Sequence, residues 1–369
     1  MMSFKFTIKT KALFGRNIIH DNYEELTRYG NRAFIVTGAT SAKLCGALQD
    51  IESVFKRIGI VYSIFDRIEN NPSLENVDEG GKLARKFNAD FIVGIGGGSP
   101  LDASKAIAVL SLNEIAPVEL YANRFEKKPL PVIAIPTTAG TGSEVTQYAI
   151  LTRKDIQTKM SFGNDDTFPT LAFIDPRYTA GLNRDTTVYT AIDALSHAIE
   201  GYLGRRSMPV SDIFAVEAIQ LFGKCLEPLL DYPIDMDIRE KLLYMSMLGG
   251  MVIAHTGTTI AHGLGNSFTY FKGVPHGKAN GLLLGEYLKF NYEAAKDKID
   301  RVIRLIGLRD MDEFSETMKV LLRDRVFLTE AEASLYSTLA MKQRSTLNNI
   351  KSVAREDLES LLKRACGKD

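Results

Sequence analysis

Phe91-Ile92-Val93-Gly94-Ile95-Gly96-Gly97-Gly98-Ser99-Pro100 is an apolar, β-forming run that breaks into glycines and opens onto a helical pattern. It reads as strand, turn and helix start. Glycines let backbone N–H groups approach an anion, Ser99 can cap the helix, and Pro100 suits its first turn. The helix dipole adds favourable potential for a pyrophosphate. Alone, the unit is equally a tight turn that holds nothing.

Outward from it, short β-branched runs alternate with helical periods. Ala33–Val36, Ile60–Phe65, Val132–Ile135 and Ala172–Ile174 read as further strands, and Phe4–Phe14 as an opening strand or hairpin. The helical patterns Leu44–Ile58, Leu74–Phe87 and Pro100–Leu110 separate them. Such alternation predicts crossover units and a parallel sheet of Rossmann-like type. After Ile174-Asp175-Pro176 the strand signals stop. Thr187–Gly201, Val210–Leu221, Arg239–Ala254 and Arg355–Ala365 follow with a 3.6-residue period, and Thr329-Glu330-Ala331-Glu332 carries a capping-box pattern. The expected division lies near Asp175–Arg184, with an α/β domain over residues 1–180 and an all-helical domain over 181–369.

Charge and cysteine usage narrow the function. The 369 residues carry 45 basic and 45 acidic side chains, so no whole-protein electrostatic footprint for nucleic acid or anionic membrane is present. Cys45, Cys225 and Cys366 are odd in number and far apart, which fits a reducing cytoplasm better than a disulfide framework. Met1-Met2-Ser3-Phe4-Lys5 lacks the apolar stretch of a signal peptide, and Leu242–Ala254 is too short and interrupted to span a bilayer.

Two constellations carry chemistry. Pro136-Thr137-Thr138-Ala139-Gly140-Thr141-Gly142-Ser143 follows the strand Val132–Ile135, so it opens on the same carboxyl edge as Gly96–Ser99, where such folds bind ligands. Its hydroxyls suit phosphate or ribose; a plain capping loop is the alternative. The first strand runs into Thr37-Gly38-Ala39-Thr40-Ser41, where an NAD site would place an acid on the ribose 2′-hydroxyl. Gly38, Thr40 and Ser41 leave room for a 2′-phosphate, with Lys43 nearby, which favours NADP(H) over NAD(H).

The second constellation draws on the five histidines of the chain. Asp193 and His197 stand four apart and share a helix face. His262 and His276 lie among apolar and glycine neighbours. Each residue singly reads as an ion pair or a core histidine. Together, one carboxylate and three imidazoles can hold a divalent first-row metal and leave a position for substrate.

At these residues the chain resembles the iron-containing (group III) alcohol dehydrogenases. Phe14-Gly15, Asn71-Pro72, Gly96–Ser99 with Asp102, Pro136–Thr146, Asp193–Gly201 and Pro275-His276-Gly277 carry the likeness, in order and over essentially the whole chain. The resemblance implies the dehydroquinate synthase-like fold of that family, with residues 1–180 as its dinucleotide-binding domain and 181–369 as its metal-binding domain. It implies Asp193, His197, His262 and His276 as metal ligands, for Fe²⁺ with Zn²⁺ as the alternative. Gly97, Gly98, Ser99 and Asp102 match the pyrophosphate loop and its helix. Asn71, Thr137, Thr138, Thr141, Ser143 and Lys159 match further cofactor positions. Asn266 stands where many members carry another histidine, and His255 where relatives usually lack one.

The implied activity is hydride transfer between NAD(P) and a small primary alcohol or diol, or the corresponding aldehyde, in a homodimer. No side chain stands out as a catalytic base beyond the metal ligands. A glycerol or 1,3-propanediol dehydrogenase, a dehydroquinate-synthase-like lyase that recycles NAD, and a non-catalytic dinucleotide-binding protein are the alternatives.

Overall fold

The computed structural model describes Ser3–Lys368. Met1, Met2 and Asp369, which the two expected ranges include, lie outside the described residues.

The first compact unit comprises Thr7–Thr138 and Gly142–Leu182. Its strands are β1 (Lys11–Phe14), β2 (Arg32–Thr37), β3 (Val61–Phe65), β4 (Phe91–Gly96), β5 (Val132–Pro136), β6 (Ala149–Arg153), β7 (Thr158–Phe162) and β8 (Leu171–Ile174). Its helices are α1 (Ile18–Asp21), α2 (Ser41–Leu44), α3 (Ala47–Ile58), α4 (Leu74–Phe87) and α5 (Gly98–Leu112).

Six strands form one parallel sheet in the order β1-β8-β5-β4-β2-β3. The four inner strands are buried almost throughout, as expected where helices cover both faces. Alternate residues feed opposite cores. Ile35, Val93, Ile95 and Ile133 pack with Leu48, Ile51 and Phe55 of α3. Phe34, Val36, Ile92 and Val132 pack with Ala103, Ala106 and Ile107 of α5 and Val77 and Ala84 of α4. The chain turns from β2 outward to β3 and then returns to β4 on the other side of β2. The order therefore reverses between β2 and β4, where open α/β sheets offer their ligand crevice.

Two features differ from the sequence expectation. Only Lys11–Phe14 of the opening segment is strand. Phe6 instead stacks on Phe214 and lies 4.1 Å from the His255 ring, so aromatic packing with the helical unit holds the start of the segment. In addition, β6 and β7 pair antiparallel outside the main sheet; their short mixed sequences give little periodic signal.

The second unit takes the described residues from Asn183 onward, with those before Thr7 and Ala139–Thr141. It contains α6 (Arg184–Leu203), α7 (Pro209–Leu230), α8 (Met236–Thr256), α9 (Ile260–Lys272), α10 (His276–Ile306), α11 (Met311–Leu322), α12 (Glu330–Met341), α13 (Arg344–Leu347) and α14 (Arg355–Ala365). A two-residue parallel pair, β9 (Phe327–Leu328) with β10 (Gly367–Lys368), accompanies them. Asn183 caps α6 by accepting from the Thr186 amide, and Thr329 with Glu332 forms the expected capping box on α12. Helix α6 is enclosed nearly all round, packed by α7, α8 and α10. That surrounding explains its apolar run Ala191–Ile199 and makes every polar residue within it one that needs a partner.

Candidate dinucleotide and metal sites

In the α/β unit the carboxyl ends of β2, β4 and β5 gather most of the expected cofactor residues. Gly96 has φ +151° and a Cβ there would lie 2.5 Å from Pro100 Cγ, so glycine alone makes the turn into α5. Gly97 is the N-cap of that helix. The Thr137 amide donates to the Gly96 carbonyl at 2.9 Å, and a Cβ on Gly97 would meet Thr138 Oγ1 at 3.0 Å, which sets the two loops side by side. Asn71, at φ +60°, donates its amide to Ser99 Oγ at 3.1 Å, and its carbonyl accepts from Thr152 Oγ1 at 2.8 Å. Gly38, Thr40 and Ser41 lie at the end of β2 with partial or full exposure.

Asp102 and Ser143 are placed differently. Ser143 Oγ donates to Asp102 Oδ1 at 2.5 Å, and the Ile150 amide donates to Oδ2 at 3.0 Å, so both carboxylate oxygens are engaged. Buried Lys105 donates to Ser143 Oγ at 2.7 Å and to the Tyr148 carbonyl at 2.6 Å. Lys159 lies near enough to pull on the Asp102 charge. These groups tie the chain after Ser143 to α5. Lys105 went unnoticed in the sequence, although its i+3 spacing from Asp102 was a signal. Thr141 belongs with the helical unit, as does Gly140, whose Cβ would lie 2.8 Å from Thr190 Cβ.

In the helical unit, α6, α9 and the first turn of α10 each bring residues to one point. Asp193 Oδ1 stands 3.6 Å from His262 Nε2 and 3.8 Å from His276 Nε2. Ligand atoms of these three residues lie within 4.8 Å of one another. His197 is outside that trio, but its ring stacks on His262 with centroids 4.7 Å apart. Its Nδ1 is buried and finds no hydrogen-bond partner among the described residues. A Cβ on Gly277 would lie 1.8 Å from the Tyr189 carbonyl oxygen, so this glycine lets α10 approach α6 closely enough to present His276.

Two residues absent from the sequence reading complete the cluster. Asn280 Nδ2 lies 2.9 Å from Asp193 Oδ1, 3.0 Å from His262 Nε2 and 3.3 Å from His276 Nε2. Glu200, fully buried, faces His262 Nδ1. The spacing Asp193, His197, Glu200 (i, i+4, i+7) marks one stripe of α6, and Asn280 stands four residues after His276. His255 takes no part, since its ring lies against Phe6.

The electrostatics suit a cation. Burial raises the Asp193 carboxyl, but His197, His276 and His262 outweigh it and hold the group well below the usual carboxylate range. Burial pulls His197 down to about 4 against the attraction of Asp193. Burial would also lower His262, yet Glu200 and Asp193 hold it up at about 9. The enclosed Asp193 carboxylate with His262 and His276, and with the His197 ring stacked beside them, forms a donor set that fits a divalent first-row metal.

Comparison with known proteins accords with this geometry. Residues 9–176 match the iron-containing alcohol dehydrogenase family and residues 187–366 match its C-terminal domain. The chain belongs to the iron-containing alcohol dehydrogenase family. An iron-containing alcohol dehydrogenase from Thermotoga maritima superposes with a TM-score of 0.93 at 37% identity, covering 99% of this chain and 100% of that one. Alcohol dehydrogenase 4 of Schizosaccharomyces pombe is 34% identical over 78% of this chain and 68% of its own length. Lactaldehyde reductase of Escherichia coli is 31% identical over 84% of this chain and 81% of its own. Membership accounts for both the parallel-sheet unit and the helical unit of this dehydrogenase.

Proposed function

We propose that this family member is a metal-dependent oxidoreductase that moves a hydride between a nicotinamide dinucleotide and a small primary alcohol or diol, or the corresponding aldehyde. The convergence of Asp193, His262 and His276, with His197 stacked beside them, carries the reading. Those four would hold the metal. When bound, the metal supplies Lewis acidity toward the substrate oxygen while the nicotinamide carries the hydride.

The residues of the chain bind and orient. Gly96–Ser99 with the N-terminus of α5 would receive the pyrophosphate, and Asn71, Thr137 and Thr138 would line the same edge. Asp102, Ser143 and Lys159 would act from behind by anchoring the loop, and Thr141 would contribute from its separate segment. Asn280 would donate a hydrogen bond to the ligands or to substrate.

For the cofactor, the absence of a carboxylate at Gly38 supports NADP(H) over NAD(H). Lys43, the cation expected to meet a 2′-phosphate, is held by Asp66 at 2.7 Å, and that observation favours NAD(H) as the second reading. For the metal we favour Fe²⁺, with Zn²⁺ the alternative. Free Cys45, Cys225 and Cys366 suit a reducing cytoplasm. No helix among the described residues is long and apolar enough to cross a membrane. A homodimer is the expected assembly, to be checked by sedimentation.

Purified protein assayed with Fe²⁺ or Zn²⁺ and with NADPH or NADH, over a panel of alcohols and aldehydes, tests the whole reading. His262→Ala is expected to lose metal-dependent turnover by at least ~10³-fold while retaining NADPH binding. Full turnover by that variant in chelator-treated buffer would remove the assignment. Net NADPH absorbance during alcohol oxidation separates this activity from a lyase that recycles its nicotinamide.

A further inference from the structure

The Glu200 carboxylate is fully buried on α6, one turn beyond His197, and it is not among the three residues whose ligand atoms converge. Oε2 accepts from the Thr259 amide at 2.6 Å and from the Thr259 hydroxyl at 2.5 Å. Oε1 meets His262 Nδ1. Thr259 is the N-cap of α9, and its own side chain makes no capping bond to that helix. The Glu200 carboxylate thus takes up amide and hydroxyl donors where α9 begins and is favoured there by the positive end of the helix dipole. The same carboxylate holds the ring of the third residue of that helix, His262.

Holding Nδ1 determines what the other edge of the ring can do. A neutral imidazole that donates from Nδ1 keeps a lone pair on Nε2, the tautomer that ligation through Nε2 requires. His262 Nε2 is the atom that points to Asp193 Oδ1 and to Asn280 Nδ2. A half-turn of the ring about Cβ–Cγ would set Cδ2 where Nδ1 stands and Cε1 where Nε2 stands, losing the Glu200 contact and the Nε2 donor together.

We propose that Glu200 is a positioning residue that, through Thr259 and Nδ1, fixes both the backbone and the ring of His262 so that Nε2 is presented to the metal. Glu200 itself is not a ligand. The inference rests on the metal reading above. A buried carboxylate serving only as a fold-stabilising ion-pair partner is the competing explanation. It predicts loss of stability without any change in the metal once the protein is folded.

The test uses Co²⁺ as the probe, titrated into chelator-treated full-length protein and followed by its visible absorption band, with competing chelator to obtain Kd. Glu200→Gln preserves volume but removes the charge and sets an amide donor against the Thr259 donors. It is expected to weaken Co²⁺ binding ten- to a hundredfold and to change the band, while NADPH binding stays as in the parent. Glu200→Asp, with the charge kept but the reach shortened, is expected to lie between. A folded Glu200→Gln with Kd within threefold of the parent and the same band overturns the proposal and leaves the metal reading standing. A parent that binds no Co²⁺, Fe²⁺ or Zn²⁺ overturns both. Should Glu200→Gln fail to fold, Thr259→Val decides: a three- to tenfold loss of Co²⁺ affinity supports the proposal, and unchanged affinity overturns it.

Discussion

Gly38 is the residue on which the proposed preference for NADP(H) rests. Its φ is not positive, and a Cβ there would meet only the Ile68 carbonyl oxygen at 3.7 Å, an ordinary contact. A carboxylate can therefore be added without backbone strain. Gly38→Asp is expected to lower kcat/KM for NADPH at least about tenfold, or ~1.4 kcal/mol, by setting a negative charge against the 2′-phosphate. The same variant is expected to leave NADH unchanged or improved. Steady-state rates with both cofactors check this, and an unaltered NADPH preference would place the 2′-phosphate elsewhere. At the same scale, the sequence displayed the candidate metal residues openly, because rare histidines among apolar neighbours stand out. Glu200 and Asn280 did not, since buried carboxylates and amides look like surface ones until their partners are known.

At the scale of elements, α5 and the segment Gly142–Ile150 act as one piece through buried charge. Burial raises the Glu144 carboxyl to about 7 against its own backbone hydrogen bond and the Lys105 charge, and burial lowers Lys105 to about 8 against the charges of Asp102 and Glu144. A carboxyl with a folded value above its unfolded one, 4.5, binds its proton more tightly in the native state. Its contribution to stability is full below pH 4.5 and is lost as pH rises through 7. Glu144→Gln removes that dependence. The difference in unfolding midpoint, variant minus parent, is expected to rise between pH 4.5 and 7 and then level off, measured by urea denaturation. A flat difference across this window would show that Glu144 ionises without penalty. Periodicity revealed the helices that pack on the sheet or into the bundle. It missed β6 and β7, which pair with each other outside the main sheet, and it extended the opening strand over residues that aromatic packing at Phe6 takes away from the sheet.

For the whole molecule, the two compact units offer separate ligands separate handles. A ligand that binds only the native form stabilises it by RT ln(1 + [L]/Kd), ~2.7 kcal/mol at a free concentration a hundredfold above Kd. Chelation of the metal is expected to lower the unfolding temperature of the helical unit, whereas NADPH is expected to raise that of the α/β unit. Calorimetry with each ligand in turn checks this, and a chelator effect that His262→Ala retains would trace it to some other site. By itself the sequence determined the alternation of strands and helices, the glycine turn at Gly96–Ser99 and the identity of the clustered histidines. These are local: backbone sterics at glycine, hydrophobic period and residue chemistry act within a few positions. Only the tertiary structure decided the strand order that reverses between β2 and β4, the return of Ala139–Thr141 to the helical unit, and the meeting of Glu200 with His262. Those depend on which distant surfaces bury one another, and a buried polar group finds its partner only after that packing is set.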